Sequence, residues 1–212
     1  MRLNSATGAL EGWPIPNIQQ IINRIGTLKP KVFGIIDFTA GYHQTKLHPD
    51  SQEYTAFITQ YGLFEWTRVA MGLQGSGPFF QRSMANNVLA GYVTRICEIY
   101  IDDVLIRGST DDEYLDNTRK VLTRLRAKKV TANPEKTRLG LKKVEYVGHL
   151  ISSEGTSFTP AKRKEGLPAN EKALLHFIGL VNYFRDHVPQ MTEMVKPLSA
   201  LVDTRSTSAR RS

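Results

Sequence analysis

Apolar positions along the chain alternate between helical spacing and short continuous runs, and each change of pattern marks an element. Ile18, Ile21, Ile22 and Ile25 recur at helical spacing up to Gly26, which predicts a short amphipathic helix after the extended Trp13-Pro14-Ile15-Pro16. Val32-Phe33-Gly34-Ile35-Ile36 is continuous and ends in Asp37, the pattern of a central strand buried on both faces. Ala56 to Thr59 and Leu63 to Val69, around a turn at Tyr61-Gly62, predict a hairpin. The glycines and proline of Gly72-Leu73-Gln74-Gly75-Ser76-Gly77-Pro78 mark a loop opening onto a helix, whose Phe80, Met84 and Val88 recur every four residues and face the core. Bare amides at that helix start could hold a phosphate or a template backbone, although such loops are common connectors.

Ile99 to Ile101 and Val104 to Ile106 flank Asp102-Asp103 and predict two buried strands turning back on each other with both acids at the tip. Thr110 and Glu113 form a capping box ahead of Leu115, Thr118, Leu122 and Leu125, which predict an amphipathic helix. Asn133-Pro134 breaks the chain. Arg138 to Leu141 and Val144 to Ile151 read as short strands, with a turn at Ser153-Glu154-Gly155. Residues 156–170 read as a linker. Leu174, Phe177, Ile178 and Val181 predict a helix stopped before Pro189, Val195 to Val202 a further one, and the tail 203–212 disorder.

The length of 212 residues allows one large domain or two smaller ones, and 41% hydrophobic with 9% aromatic content indicates a folded chain. No run of about eighteen apolar residues exists, which excludes a membrane-spanning helix, and Met1-Arg2-Leu3-Asn4 has no secretory pattern. Cys97, the lone cysteine, cannot form an internal disulfide and suits a reducing intracellular compartment. The net charge of +8 is unevenly placed: residues 119–143 hold ten basic side chains against Glu135, so the rest of the chain sums to −1. Such clustering points to a polyanion, nucleic acid before membrane, or to a solvated basic helix face.

Asp37 at a strand end and Asp102-Asp103 at a hairpin tip are the candidate chemistry. Each has a plain local reading: an N-cap or turn aspartate for Asp37, and turn residues for the pair. Brought together, three acids suit two divalent cations that activate a hydroxyl and stabilise a departing oxygen in phosphoryl displacement. Magnesium needs only one or two protein carboxylates per ion, and without metal the acids repel one another.

The order Asp37, Tyr42-His43-Gln44, Gly72-Leu73, Phe80-Gln81-Arg82, Met84, Tyr100-Ile101-Asp102-Asp103 and Glu145-Tyr146-Val147-Gly148-His149 resembles the reverse transcriptase of gypsy-type LTR retrotransposons. The likeness runs from Leu3-Asn4 to Gly179-Leu180-Val181-Asn182-Tyr183-Phe184-Arg185. It implies an α+β right-hand polymerase: partial fingers at 1–31, palm at 32–48, a fingers hairpin at 49–75, palm again at 76–155, and linker with thumb-like helices at 156–202. It implies RNA-directed DNA synthesis on a primer 3′-hydroxyl, with two magnesium ions, or manganese, on Asp37, Asp102 and Asp103. Strand side chains alternate between faces, so Asp103 joins the other two only through the turn and ranks third.

The resemblance further implies Phe38, Gly41, Tyr42 and Met71 at the nucleotide, Tyr42 disfavouring a 2′-hydroxyl. Tyr100, Gly148 and His149 would lie at the primer, and Lys128, Lys129, Lys142 and Lys143 along the nucleic-acid backbone. Expected partners are RNA and DNA template-primer, deoxynucleoside triphosphates and other polyprotein segments such as ribonuclease H and integrase, in a cytoplasmic particle or the nucleus. The chain departs from the family where Ala70-Met71-Gly72-Leu73 stands for Pro-Phe-Gly-Leu and Gly75-Ser76-Gly77 for Asn-Ala-Pro. It also begins past the fingers segment whose Lys and Arg hold the triphosphate, as expected of an N-terminally truncated polyprotein fragment. The competing expectation is an inactive remnant that binds nucleic acid through its basic segment.

Overall fold

The computed structural model of the chain describes residues 3–4, 14–158, 170–183, 190–191 and 193–199. Most of the opening segment, much of the expected linker, residues 200–202 and the tail lie outside the described residues. The chain divides into two compact units, Met1–Pro160 and Ala161–Ser212.

In the first unit α1 (Ile18–Leu28) precedes β1 (Val32–Asp37), the hairpin β2 (Phe57–Thr59) and β3 (Gly62–Phe64), and α2 (Ser76–Ser83). Then follow β4 (Cys97–Tyr100), β5 (Asp103–Gly108), α3 (Asp111–Ala127) and four strands: β6 (Arg138–Leu141), β7 (Lys143–Tyr146), β8 (His149–Ser152) and β9 (Gly155–Phe158). The main sheet runs β4-β5-β1-β6, with β1 antiparallel to both β5 and β6. The continuous apolar run of β1 is thus central. One face of it, Val32 and Ile36, packs with Ile99, Val104 and Ile106 against Phe80 and Met84 and against Tyr114, Val121 and Leu125 of α3. The other face, Phe33 with Leu105, meets Ile21, Ile22 and Ile25 of α1 and Val144, Tyr146 and Ile151 of the β7-β8-β9 sheet. Three layers result, because alternate residues of the central strands feed two separate cores.

Helix α1 is capped by Asn17, whose Oδ1 accepts from Gln19 N at 2.8 Å. It is tied to the sheet by Arg24, which donates through Nε and Nη2 to Glu98 at 2.8 and 2.9 Å. Glu98 is 1% exposed, and buried Arg107 lies 3.9 Å from the same carboxylate. The Glu98 hydrogen bond raises the Arg24 pKa, whereas burial lowers that of Arg107.

Several elements differ from the sequence expectation. The capping box of α3 forms, Thr110 Oγ1 accepting from Glu113 N at 3.2 Å, but its core face is Tyr114, Asn117, Thr118, Val121 and Leu125. Leu115 and Leu122 stay 58% and 41% exposed. The face is set by Tyr114: its hydroxyl accepts from Gly140 N at 3.0 Å, and a Cβ on Gly108 would sit 2.5 Å from Tyr114 N. The β2-β3 turn is Gln60-Tyr61, since Thr59 pairs with Gly62, and the strand stops at Phe64 rather than Val69. After Ser83 the helix continues in wider π turns over Met84–Val88, with Leu89 N donating to Met84 O at 2.8 Å. The expected linker begins later, because Gly155–Phe158 pairs with β8. In the second unit α4 (Glu171–Tyr183) is capped by Asn170, which accepts from Ala173 N at 2.9 Å, and residues 193–199 are helical.

Candidate active site

β1 and β5 run in register from Val32 opposite Gly108 to Asp37 opposite Asp103, and Tyr100 pairs with Asp103 on the other side. The expectation that Asp103 reaches Asp37 only through the turn is therefore corrected. Cross-strand partners point to the same face, so Asp37 and Asp103 are direct neighbours. Asp102 comes to the same sheet end from the two-residue turn Ile101-Asp102. Like charges directly opposite each other oppose folding, and the groups show it: burial first, then Asp37, pushes the Asp102 carboxyl above its ordinary value. Burial, then Asp37 and Asp102, does the same to Asp103. Asp102 Oδ1 is buried without a hydrogen-bond partner.

A cation already answers part of this charge. The loop after α3 docks along the exit of β1, with Asn133 N donating to Asp37 O at 2.8 Å and Gln44 Nε2 donating to Thr39 O and Thr131 O at 2.6 and 2.8 Å. That loop carries Lys136, whose Nζ lies 3.7 Å from Asp37 Oδ2. Neither Lys136 beside Asp37 nor the bond from Ile101 N to Gln81 Oε1 at 2.6 Å was assigned a role from sequence. Gln81 lay within a motif, but no pattern told where its amide would point.

An all-oxygen acid set with an orphaned buried oxygen suits a hard divalent cation. Among the described residues, no three His, Cys, Asp or Glu side chains close to metal-ligand spacing, so an ion here would draw most of its ligands from water and substrate.

The expected nucleotide residues fall in two groups. Gly41 is buried in the 3-10 turn Gly41–Gln44. A Cβ there would lie 2.9 Å from Phe80 Cζ and 3.5 Å from Asp102 Oδ1. Tyr42 packs on Phe80 with ring centroids 5.3 Å apart, and burial, then Asp102, raises its pKa. Phe38 is 4% exposed, edge-on to Phe80 at 6.0 Å, so its ring belongs to the core. Met71 is 56% exposed in a turn whose Gly72 has φ +85°. A cavity of about 1370 Å³ in the first unit is not lined by the acids. Its walls include Lys46, Arg68, Gln74 and Arg82.

The expected primer and backbone residues are more dispersed. Tyr100 packs against the α1-side core. Gly148, with φ +78°, completes the two-residue β7-β8 turn after Val147 at φ +46°, while His149 is 1% exposed and its ring points inward. Lys128 and Lys129 follow the C-terminal end of α3, whereas Lys142 Nζ binds Asp111 Oδ1 at 3.0 Å at its N-terminal end. Lys143 is exposed beside Lys142. A 17-residue helix is about 25 Å long, so the basic segment forms a track with separated ends rather than one patch.

The chain is 30% identical over 198 residues to the retrovirus-related Pol polyprotein from transposon 297 of Drosophila melanogaster, covering 92% of this chain and 18% of that protein. It is also 30% identical over 194 residues to the Pol polyprotein from transposon gypsy of the same species, covering 90% and 18%. Among solved structures, the foamy viral protease-reverse transcriptase dRH in complex with ds DNA superposes with a TM-score of 0.81 at 24% identity. That match covers 95% of this chain and 35% of the other and bears out the α+β polymerase fold. Residues 8–151 match the reverse transcriptase (RNA-dependent DNA polymerase) family, and the chain belongs to that family.

Proposed function

We propose that this chain forms the polymerase centre of a retrotransposon polyprotein and joins deoxynucleotides to a primer 3′-hydroxyl on an RNA or DNA template. The observation that carries the reading is the register that sets Asp37 opposite Asp103 at the sheet end where the Ile101-Asp102 turn delivers a buried, unpartnered carboxylate oxygen. Asp37, Asp102 and Asp103 would hold magnesium, or manganese, which when bound supplies charge stabilisation to the attacking and leaving oxygens. The chain's own groups do the positioning. Gly41 leaves room beside Asp102, and Tyr42, backed by Phe80, would stand under the sugar and disfavour a 2′-hydroxyl. The turns at Met71-Gly72 and Val147-Gly148 offer backbone to nucleotide and primer, and the lysines at both ends of α3 would meet phosphates.

Within this proposal β1, the acid-bearing hairpin and the sheets around them act as palm, β2-β3 as fingers, and the helices of the second unit as thumb. A cytoplasmic particle or the nucleus is the proposed setting, with ribonuclease H and integrase segments of the polyprotein as partners.

Primer extension on an RNA template with magnesium tests the reading. The parent chain should extend the primer and Asp102→Asn should not. Absence of extension by both, with salt-dependent template binding retained, would leave the basic-module reading, which Lys136 beside Asp37 favours.

A further inference from the structure

Ile101 has φ +52°, a conformation that suits Gly or Asn and that a β-branched side chain resists. It is the first residue of the two-residue turn between Tyr100 and Asp103, and Asp102 is the second. Two things could hold Asp102 in place: its own side-chain bonds or its backbone. Its buried Oδ1 has no hydrogen-bond partner, so the backbone of this turn carries the burden.

One side chain from another element grips that backbone. Gln81 of α2 is 1% exposed. Its Oε1 accepts from Ile101 N at 2.6 Å, and its Nε2 reaches Ile99 O at 3.4 Å. The Ile101 N–H can only donate, which fixes the amide orientation. Gln81 is buried and the bond itself partly so, and losing the acceptor would leave the Ile101 N–H without its partner. The neighbouring Phe80 packs against Phe38 and Tyr42, so the helix that presents Gln81 is itself anchored to the nucleotide side of the site.

We infer that Gln81 is a positioning residue: by bonding the Ile101 amide it holds a strained turn closed and so sets the Asp102 carboxylate for metal binding. The inference rests on the metal-centre reading above. Gln81 touches neither metal nor substrate and acts through the turn.

The test uses the full chain, manganese as the probe and no turnover. Manganese affinity is read by electron paramagnetic resonance, and protection of the Ile101 amide by NMR hydrogen exchange. Gln81→Met keeps the volume and removes the acceptor. It should weaken manganese binding and speed Ile101 exchange, each by about tenfold, while amides elsewhere in the main sheet keep their protection. Adding Ile101→Gly, which accepts positive φ without strain, should restore affinity to within about threefold of the parent.

A Gln81→Met chain with parental affinity and parental Ile101 protection overturns the inference, as does a double variant no better than the single one. If Gln81→Met does not fold, a folded double variant supports the turn-locking role and an unfolded one overturns it. A parent that binds no manganese in an Asp102-dependent way defeats the metal-centre reading instead. Ile101 exchange then decides the clamp by itself: protection lost in Gln81→Met upholds it, and protection kept overturns it.

Discussion

Replacing Asp102 by Asn is expected to stabilise the metal-free chain at neutral pH while removing its response to divalent ions. Burial, then Asp37, pushes the Asp102 carboxyl above its ordinary value, with Lys136 pulling the other way. In the unfolded chain the group titrates near ~3.9. Between that value and the raised one the folded state binds more protons than the unfolded state. Stability therefore falls as pH rises through the window, and the full penalty persists above it. The amide keeps the acceptor but removes the charge, and two unit charges about 4 Å apart repel by about 1–4 kcal/mol between full solvent screening and that of a protein surface. Because the residue is only partly buried, solvent screening reduces the figure to about 1 kcal/mol. In a chain of this size that is about 2–4 °C in Tm. Thermal melts of parent and variant in chelator, from pH 4 to pH 8, should show a small gap at the acid end that widens and levels off as pH rises. With magnesium at ten times its dissociation constant the parent should gain about 1.4 kcal/mol, the variant less, and the order should reverse. A variant that melts below the metal-free parent at neutral pH, or a gap equal at pH 4 and pH 8, refutes the reasoning.

Lys136→Ala removes the ammonium near Asp37 and should lower metal-free stability by about 0.5 kcal/mol while tightening manganese binding about twofold; unchanged binding would show that Lys136 does not compete with the ion. Arg24→Met leaves Glu98 buried with only the more distant Arg107 and should cost about 3 kcal/mol in urea unfolding; a loss below about 1 kcal/mol would show that water reaches the carboxylate. Neutralising Lys128 and Lys129, or Lys142 and Lys143, should each lower the salt slope of template binding by about 0.9 for every phosphate that is no longer neutralised. Because the pairs sit at opposite ends of α3, the two effects should add, and an unchanged slope in both variants would remove the basic track.

The elements that place the acids were legible in the sequence because their signals are local and strong. A continuous apolar run ending in Asp37 could be little else than a buried strand, and apolar segments on either side of Asp102-Asp103 fold back as expected. The face of α3 was misread because Leu115 and Leu122 fit the helical period as well as Tyr114 and Val121 do. The choice is made by tertiary partners: Gly34 leaves room for the Tyr114 hydroxyl, Gly108 for its backbone, and Gly140 N donates to that hydroxyl. The expected route of Asp103 to the site failed for a related reason: alternation within one strand says nothing of the register between strands, and the register makes Asp103 the neighbour of Asp37. The burial of the His149 ring likewise depends on which face of β8 meets the second core, a choice made by α1 far away in sequence.

The pairing of Asp37 with Asp103 makes the site sensitive to parity. Each residue along β1 alternates between the two cores, so deleting or inserting one residue between Val32 and Asp37 would exchange the faces and turn Asp37 away from its partner. Outside the turn at Gly41 and the helix that carries Phe80 and Gln81, residues 38–96, which join β1 to β4, carry no such count for the Asp37–Asp103 pair, because the strands they connect are held by the sheet itself. Copies of this sequence could thus drift through many substitutions, and through length changes in that connection, with the acid pair intact. The loss of a single codon in β1 would separate the pair at once while leaving composition and motifs nearly unchanged.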